Sequence, residues 1–170
     1  KLPKDQGREF AVDGKLSAGK ERGAGIIFVC SFIIVALLFV PISLEYAFYY
    51  ILLFLGMLSG YLDDRSEKPW GEYKKGLIDL VISALTAANF VYFNPDMLSV
   101  SFFGMSLNIP PIIFGVIAAV LVWMLINATN CSDGIDGFCG SLTIVSLISI
   151  LGAMKALDVK DNRIMYLIVI

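Results

Sequence analysis

The residues best equipped for chemistry lie in one run, Asn127 to Gly137, NATNCSDGIDG, at the end of an apolar stretch from Ile109 to Ile126. It gathers the amides of Asn127 and Asn130, the carboxylates of Asp133 and Asp136, and the hydroxyls of Thr129 and Ser132. Polar and ionisable groups at the edge of a membrane helix are costly to place and mark functional positions. Asn127, Asn130, Asp133 and Asp136 recur every three residues. Neighbours in that series can share a helical face, although an ideal helix would drift by about half a turn across all four. Gly134 and Gly137 let the helix break and let backbone approach a ligand. Oxygen donors of this kind suit Mg2+, which binds a few protein oxygens and completes its shell with water and substrate phosphates. The plainer reading is a polar interfacial turn in which Asp133 or Asp136 caps the next helix. That reading explains one acidic residue and leaves the other three positions without a reason.

A second constellation is Asp63-Asp64, placed directly after another apolar run. A helix C-terminus carries partial negative charge, so adjacent carboxylates there are electrostatically misplaced. A capping or simply solvated pair is one explanation. The other is a cation or proton site, because adjacent carboxylates repel and either a retained proton or a divalent metal relieves the repulsion. Lys68, Lys74 and Lys75 follow the pair, and could hold a phosphate-bearing substrate or merely set membrane topology. Asp79 falls about one turn into the third apolar run, where a carboxylate is favourable, and reads as structural.

The elements that must position these groups are membrane helices. The chain is 58% hydrophobic with only 16% charged residues, and its mean hydropathy is +0.79. Such a composition indicates an all-α integral membrane protein, a polytopic helical bundle. The apolar runs predict helices near 23–44, 46–62, 76–93, 109–126 and 138–157, about five complete spans, with another starting at 164–170. A short β-hairpin is expected at 98–109, where β-leaning residues flank Gly104. Residues 1–22 form a polar, basic segment preceding the transmembrane domain at 23–170. The closing apolar run, 164–170, is far shorter than the roughly 20 residues a span requires, so part of a longer protein is expected. The chain contains no His, so it cannot by itself build a His-based triad, a His-ligated zinc site or a His general base. Cys30, Cys131 and Cys139 lack metal-type spacing and read as reduced thiols.

Positive charge orders the loops. Residues 1–22 hold Lys1, Lys4, Arg8, Lys15, Lys20 and Arg22, and loop 63–75 holds Arg65, Lys68, Lys74 and Lys75, whereas loops 41–46 and 94–108 hold none. The positive-inside rule puts the N-terminal segment and loop 63–75 in the cytoplasm, and parity adds loop 127–138. Lys155, Lys160 and Arg163 then fall outside, an exception softened by Asp158 and Asp161. Both acidic constellations therefore share one face of the membrane with the basic N-terminal segment.

Taken together these residues resemble a bacterial family, the phospho-N-acetylmuramoyl-pentapeptide transferases of the polyprenyl-phosphate N-acetylhexosamine-1-phosphate transferase superfamily. Asn127 to Gly137 is similar to the family signature NATNxxDGxDG, Asp63-Asp64 is similar to its DDxxK motif, and Lys1 to Gly25 resembles its cytoplasmic segment. Two departures stand out. The family's Lys would fall at Glu67, one position before Lys68, and its Pro-Thr-Met-Gly-Gly is here Glu21 to Gly25. The resemblance implies transfer of phospho-MurNAc-pentapeptide from a UDP-linked donor to undecaprenyl phosphate, giving lipid I and UMP for peptidoglycan synthesis. It implies Mg2+ as cofactor, the bacterial inner membrane as location, a cytoplasmic active site, no nucleic-acid partner, and compatibility with a homodimer. It also implies roles: Asp63 orients or deprotonates the lipid phosphate, Asp64 supports the metal or phosphate, and Asp133 lies close to the reaction. Lys68, Lys75, Asn127, Asp133 and Asp136 bind substrate, and Asn130 binds the metal. The family carries a further Asp motif and a His-rich loop not found among these 170 residues. Two alternatives are a relative that transfers GlcNAc-1-phosphate and a membrane transporter or channel. A transporter predicts ionisable residues near helix midpoints, whereas here they cluster at helix ends.

Overall fold

The computed structural model describes residues 2–4, 18–66, 70–102, 105–132, 137–159 and 161–170. Among these residues six α-helices, a single 3-10 turn at Pro95–Met97 and one hairpin follow in order: α1 Gly25–Phe39, α2 Leu44–Arg65, α3 Glu72–Phe93, β1 Ser99–Phe102, β2 Met105–Asn108, α4 Pro111–Ser132, α5 Phe138–Ala156 and α6 Asn162–Val169. Four of them, α2 to α5, are long and apolar enough to cross a membrane. Large apolar side chains such as Ile51, Ile112 and Leu125 face outward along these helices, as a bilayer solvent requires. The chain is thus an all-α polytopic membrane protein.

The first apolar run departs from its expected length. It yields a 15-residue helix, α1, short of the roughly 20 residues that cross a bilayer. The cause is local. Pro41 forces its predecessor out of helical geometry, and Val40 is extended at φ −107° and ψ 128°. The next helix restarts after Ser43, whose hydroxyl accepts from the Tyr46 N–H at 3.3 Å.

Other helix ends also differ from the apolar runs. α2 continues through Asp63 and Asp64 to Arg65, α3 begins at Glu72 and so includes Lys74 and Lys75, and α4 continues through Asn127 and Asn130 to Ser132. Hydrophobicity marks the portion of a helix that lipid surrounds, while backbone hydrogen bonding carries the helix further into the interface. The hairpin forms where expected. Its antiparallel register pairs Ser99 with Asn108 and Phe102 with Met105, and the Ile109 N–H extends the ladder to the Leu98 carbonyl at 2.9 Å.

Polar links fix how the helices run. α2 and α3 are antiparallel and joined at both ends. At one end Asn89 and Asn94 donate to the Glu45 carbonyl and carboxylate, at 3.2 and 2.7 Å. At the other Lys75 pairs with Asp63. α3 and α4 are antiparallel too, held by Phe90 stacked on Phe114 at 5.8 Å and by the Trp123 indole N–H on the Gly76 carbonyl at 2.9 Å. Arg163, at the start of α6, lies over the Tyr46 ring at 5.8 Å, so the α5–α6 turn shares the end that holds the start of α2.

This arrangement predicts sidedness. In a background with Cys30, Cys131 and Cys139 replaced by Ala, Thr129→Cys and Ala24→Cys should react with a membrane-impermeant maleimide from one side of sealed vesicles. Asp96→Cys and Val159→Cys should react from the other. Labelling of Thr129→Cys and Asp96→Cys from the same side would overturn the helix order.

Candidate functional site

Asp63 occupies the last turn of α2 and is engaged through both side-chain oxygens and its carbonyl. Its Oδ1 accepts the Trp70 backbone N–H at 2.7 Å, and its Oδ2 pairs with the Lys75 ammonium. Its backbone carbonyl accepts both the N–H of Ser66, at 3.1 Å, and the Ser66 hydroxyl, at 2.8 Å. One residue thereby closes the end of α2 and fastens the start of α3 to it. The Asp63 side chain is 13% exposed and that of Lys75 34%, so the pair lies at the margin of the bundle, open to solvent chiefly from the lysine side. Asp64, next along the same turn, is half-buried. Lys74 turns away from this pair and sets its ammonium 3.5 Å from the centre of the Trp70 ring, a cation–π contact that secures the residue whose N–H holds Asp63.

The Asn-rich motif enters from α4. Asn127 donates its side-chain amide to the Trp123 carbonyl one turn back, at 2.8 Å. Trp123 donates its indole N–H to Gly76, and Gly76 follows Lys75 directly. A relay of polar contacts therefore runs from Asp63 through Lys75 and Gly76 to Trp123 and Asn127, across three helices. It brings two motifs separated by more than sixty residues of sequence to one end of the bundle. Asn130, on the final turn of α4, is exposed. Beyond it, Gly137 takes a left-handed φ of 81° as the N-cap of α5, the geometry that glycine adopts without a Cβ penalty. This agrees with a helix break at that position. Asp133, Asp136 and Lys68 lie outside the described residues.

The N-terminal segment reaches the same end. The Arg22 N–H donates to the Pro3 carbonyl at 2.8 Å, and Lys4 and Glu21 form an antiparallel bridge. Gly23, at φ +72°, lies so close to α2 that a Cβ there would sit 3.1 Å from the Tyr61 ring and 3.4 Å from Pro3. Both the backbone conformation and the space call for glycine. The arm is thus seated beside the turn that carries Asp63.

Sequence reasoning singled out Asp63, Lys75, Asn127 and Asn130 but not Trp70 and Ser66, which bind Asp63, nor Gly76 and Trp123, which join the start of α3 to Asn127. Tryptophan at a helix end reads equally well as an interfacial anchor, and nothing in its spacing names a carbonyl partner on another helix.

Among the described residues no group of three His, Cys, Asp or Glu gathers to hold a metal ion. The exposed side chain of Asn130 offers an oxygen, and a hard cation such as Mg2+ prefers oxygen and retains several waters. The donor chemistry fits that ion, with the amide supplying one ligand.

Removing the indole donor should loosen the relay. Trp123→Phe keeps the aromatic packing and takes the indole donor from the Gly76 carbonyl, a cost of about 0.5–1.5 kcal/mol. A thermal unfolding midpoint in detergent that falls by a few degrees is expected, and an unchanged midpoint would show the bond to be idle.

A family model described as Glycosyl transferase family 4 matches residues 46–170, from the first turn of α2 onward. Two curated relatives are similar to the chain, both phospho-N-acetylmuramoyl-pentapeptide-transferases from strains of Treponema pallidum, one of them the Nichols strain. Each is 40% identical over 151 residues, covering 87% of this chain and 42% of the relative. The chain spans less than half the length of the curated relatives it matches. No solved structure matches it significantly. The family model takes in the carboxylate pair, the Asn-rich run and every helix from α2 to α6, and on that match the chain belongs to glycosyl transferase family 4.

Proposed function

We propose that the chain forms part of a phospho-N-acetylmuramoyl-pentapeptide transferase, acting at the cytoplasmic face of the bacterial inner membrane. The observation that carries this reading is the relay joining Asp63 to Asn127, because it puts a carboxylate pair and an amide-rich helix end on one side of the bundle. The name of the two relatives supports the reaction. The match to a glycosyl transferase family favours an enzyme over a transporter or channel, and the same relatives favour the muramoyl-pentapeptide donor over UDP-GlcNAc. The basic segment at 1–22 supports the cytoplasmic assignment of this end.

In the proposed reaction an oxygen of undecaprenyl phosphate attacks the sugar-linked phosphorus of the UDP-linked donor. The new P–O bond yields lipid I, the P–O bond to UMP breaks, and UMP leaves with the bonding electrons. Little covalent work falls to the protein in phosphoryl transfer; positioning and charge stabilisation dominate. Asp63, held at both oxygens, orients the lipid phosphate, accepts its proton where one is present, and is supported by Asp64. Asn127, Asp133, Asp136 and Lys68 bind the nucleotide and pyrophosphate end, with Asp133 nearest the reacting phosphorus. Asn130 would hold Mg2+, and the ion would supply charge neutralisation at the pyrophosphate when bound. The site's place at a helix end, rather than at mid-membrane, suits one substrate from water and another from lipid.

In the complete protein, Asp63→Asn and Asp133→Asn should each lower turnover by at least ~10²-fold, the lower end of what a positioned acid or base contributes, while far-UV circular dichroism stays unchanged. Lipid I formation from the radiolabelled UDP donor is the measurement. A near-normal rate in either variant removes the role assigned to that residue, and release of UMP with UDP-GlcNAc alone would reassign the donor.

A further inference from the structure

Resting on the reading above, we infer that Lys75 is the fixed counter-ion of Asp63 and acts as a positioning residue for that carboxylate, not as a ligand of a substrate phosphate. Four observations point the same way. The Lys75 ammonium is already paired with Asp63 Oδ2. The other oxygen, Oδ1, is held by a backbone donor, Trp70 N–H at 2.7 Å, so the two contacts together fix the plane and direction of the carboxylate. The backbone of Asp63 is fixed as well, through the two Ser66 donors on its carbonyl. Finally, Lys74 and Lys75, adjacent on α3, are committed to different partners: Lys74 to the Trp70 ring at 3.5 Å, Lys75 to Asp63.

The charge around Lys75 argues against a phosphate there. Asp79 stands one turn further along α3, on the same helical face, so a second carboxylate adds negative charge on the α3 side of the ammonium. An ammonium flanked in this way offers a substrate phosphate little net attraction, whereas an ammonium is well suited to hold one carboxylate oxygen in place. The effect on the reaction is orientational. A carboxylate that swings by about 1 Å can lose on the order of 10²-fold in rate, and Lys75 with Trp70 is what prevents that swing.

The test compares Lys75→Met and Lys75→Arg in the complete protein, with KM for the UDP-linked donor and kcat measured separately. Lys75→Met is expected to lower kcat by at least ~10-fold with KM within about twofold of the parent, the pattern of an interaction acting on the transition state alone. Lys75→Arg, which keeps the charge and the pairing, is expected to restore kcat to within about fivefold. Should Lys75→Met fail to accumulate in membranes, Lys75→Gln, which keeps a donor toward Oδ2, enters the same comparison. A rise in KM, a kcat equal to the parent's, or failure of Arg to restore the rate would overturn the inference. Asp63→Asn run in parallel separates the two levels. If that variant keeps normal turnover, the role of Asp63 itself falls; if it is inactive while Lys75→Met raises only KM, the role of Asp63 stands and Lys75 belongs to the substrate.

Discussion

The ion pair between Asp63 and Lys75 holds together the end of this bundle that carries the candidate site, and it does so with two charges that are each misplaced in isolation. Asp63 sits in the last turn of α2, where the helix macrodipole is negative, and Lys75 sits just inside the start of α3, where it is positive. Neither helix alone would favour its own charged residue. Brought across a short connection, the two offset one another, and the Trp70 N–H completes the carboxylate's second oxygen. The cost of placing these residues is recovered only when α2 and α3 lie antiparallel, so the local chemistry and the topology specify each other.

Within the membrane, apolar packing contributes little to choosing partners, because lipid tails are as apolar as the side chains they would replace. Only seven hydrophobic residues among those described are buried, Ala36, Val40, Tyr50, Leu52, Ala87, Leu98 and Met154. The specific contacts are polar or aromatic: Glu45 with Asn89 and Asn94, Trp123 with Gly76, Phe90 with Phe114. These give the helices their order while their flanks remain open to lipid.

Much of this was legible in the sequence. The apolar runs located every helix, alternating positive charge put Asp63 and Asn127 on one side, and β-leaning residues around Gly104 marked the hairpin. Helix ends were harder to read, because hydropathy reports contact with lipid while a helix ends where its hydrogen bonds run out. Asp63, Lys75, Asn127 and Asn130 were therefore expected in loops and are found on helices. The helix expected at 23–44 ran past Pro41, whose effect on Val40 ends α1 at Phe39. The partner of Lys75 was not legible at all. Lys75 lies twelve positions after Asp63, with no helical periodicity to relate them, and a lysine that follows a carboxylate pair in a chain resembling phosphate-transferring enzymes suggests a phosphate before it suggests a carboxylate.

The pinning of α2 and α3 at both ends has a mechanical consequence. Each helix has 22 residues, about 33 Å of length at 1.5 Å per residue. With Glu45 tied to Asn94 at one margin and Asp63 to Lys75 at the other, the two cannot splay apart when the surrounding bilayer thins or thickens. Hydrophobic mismatch must instead be absorbed by tilting the pair as a single plank. The carboxylate that rides on its edge then keeps its bearing relative to α3 in membranes of different thickness, while its depth below the headgroups changes.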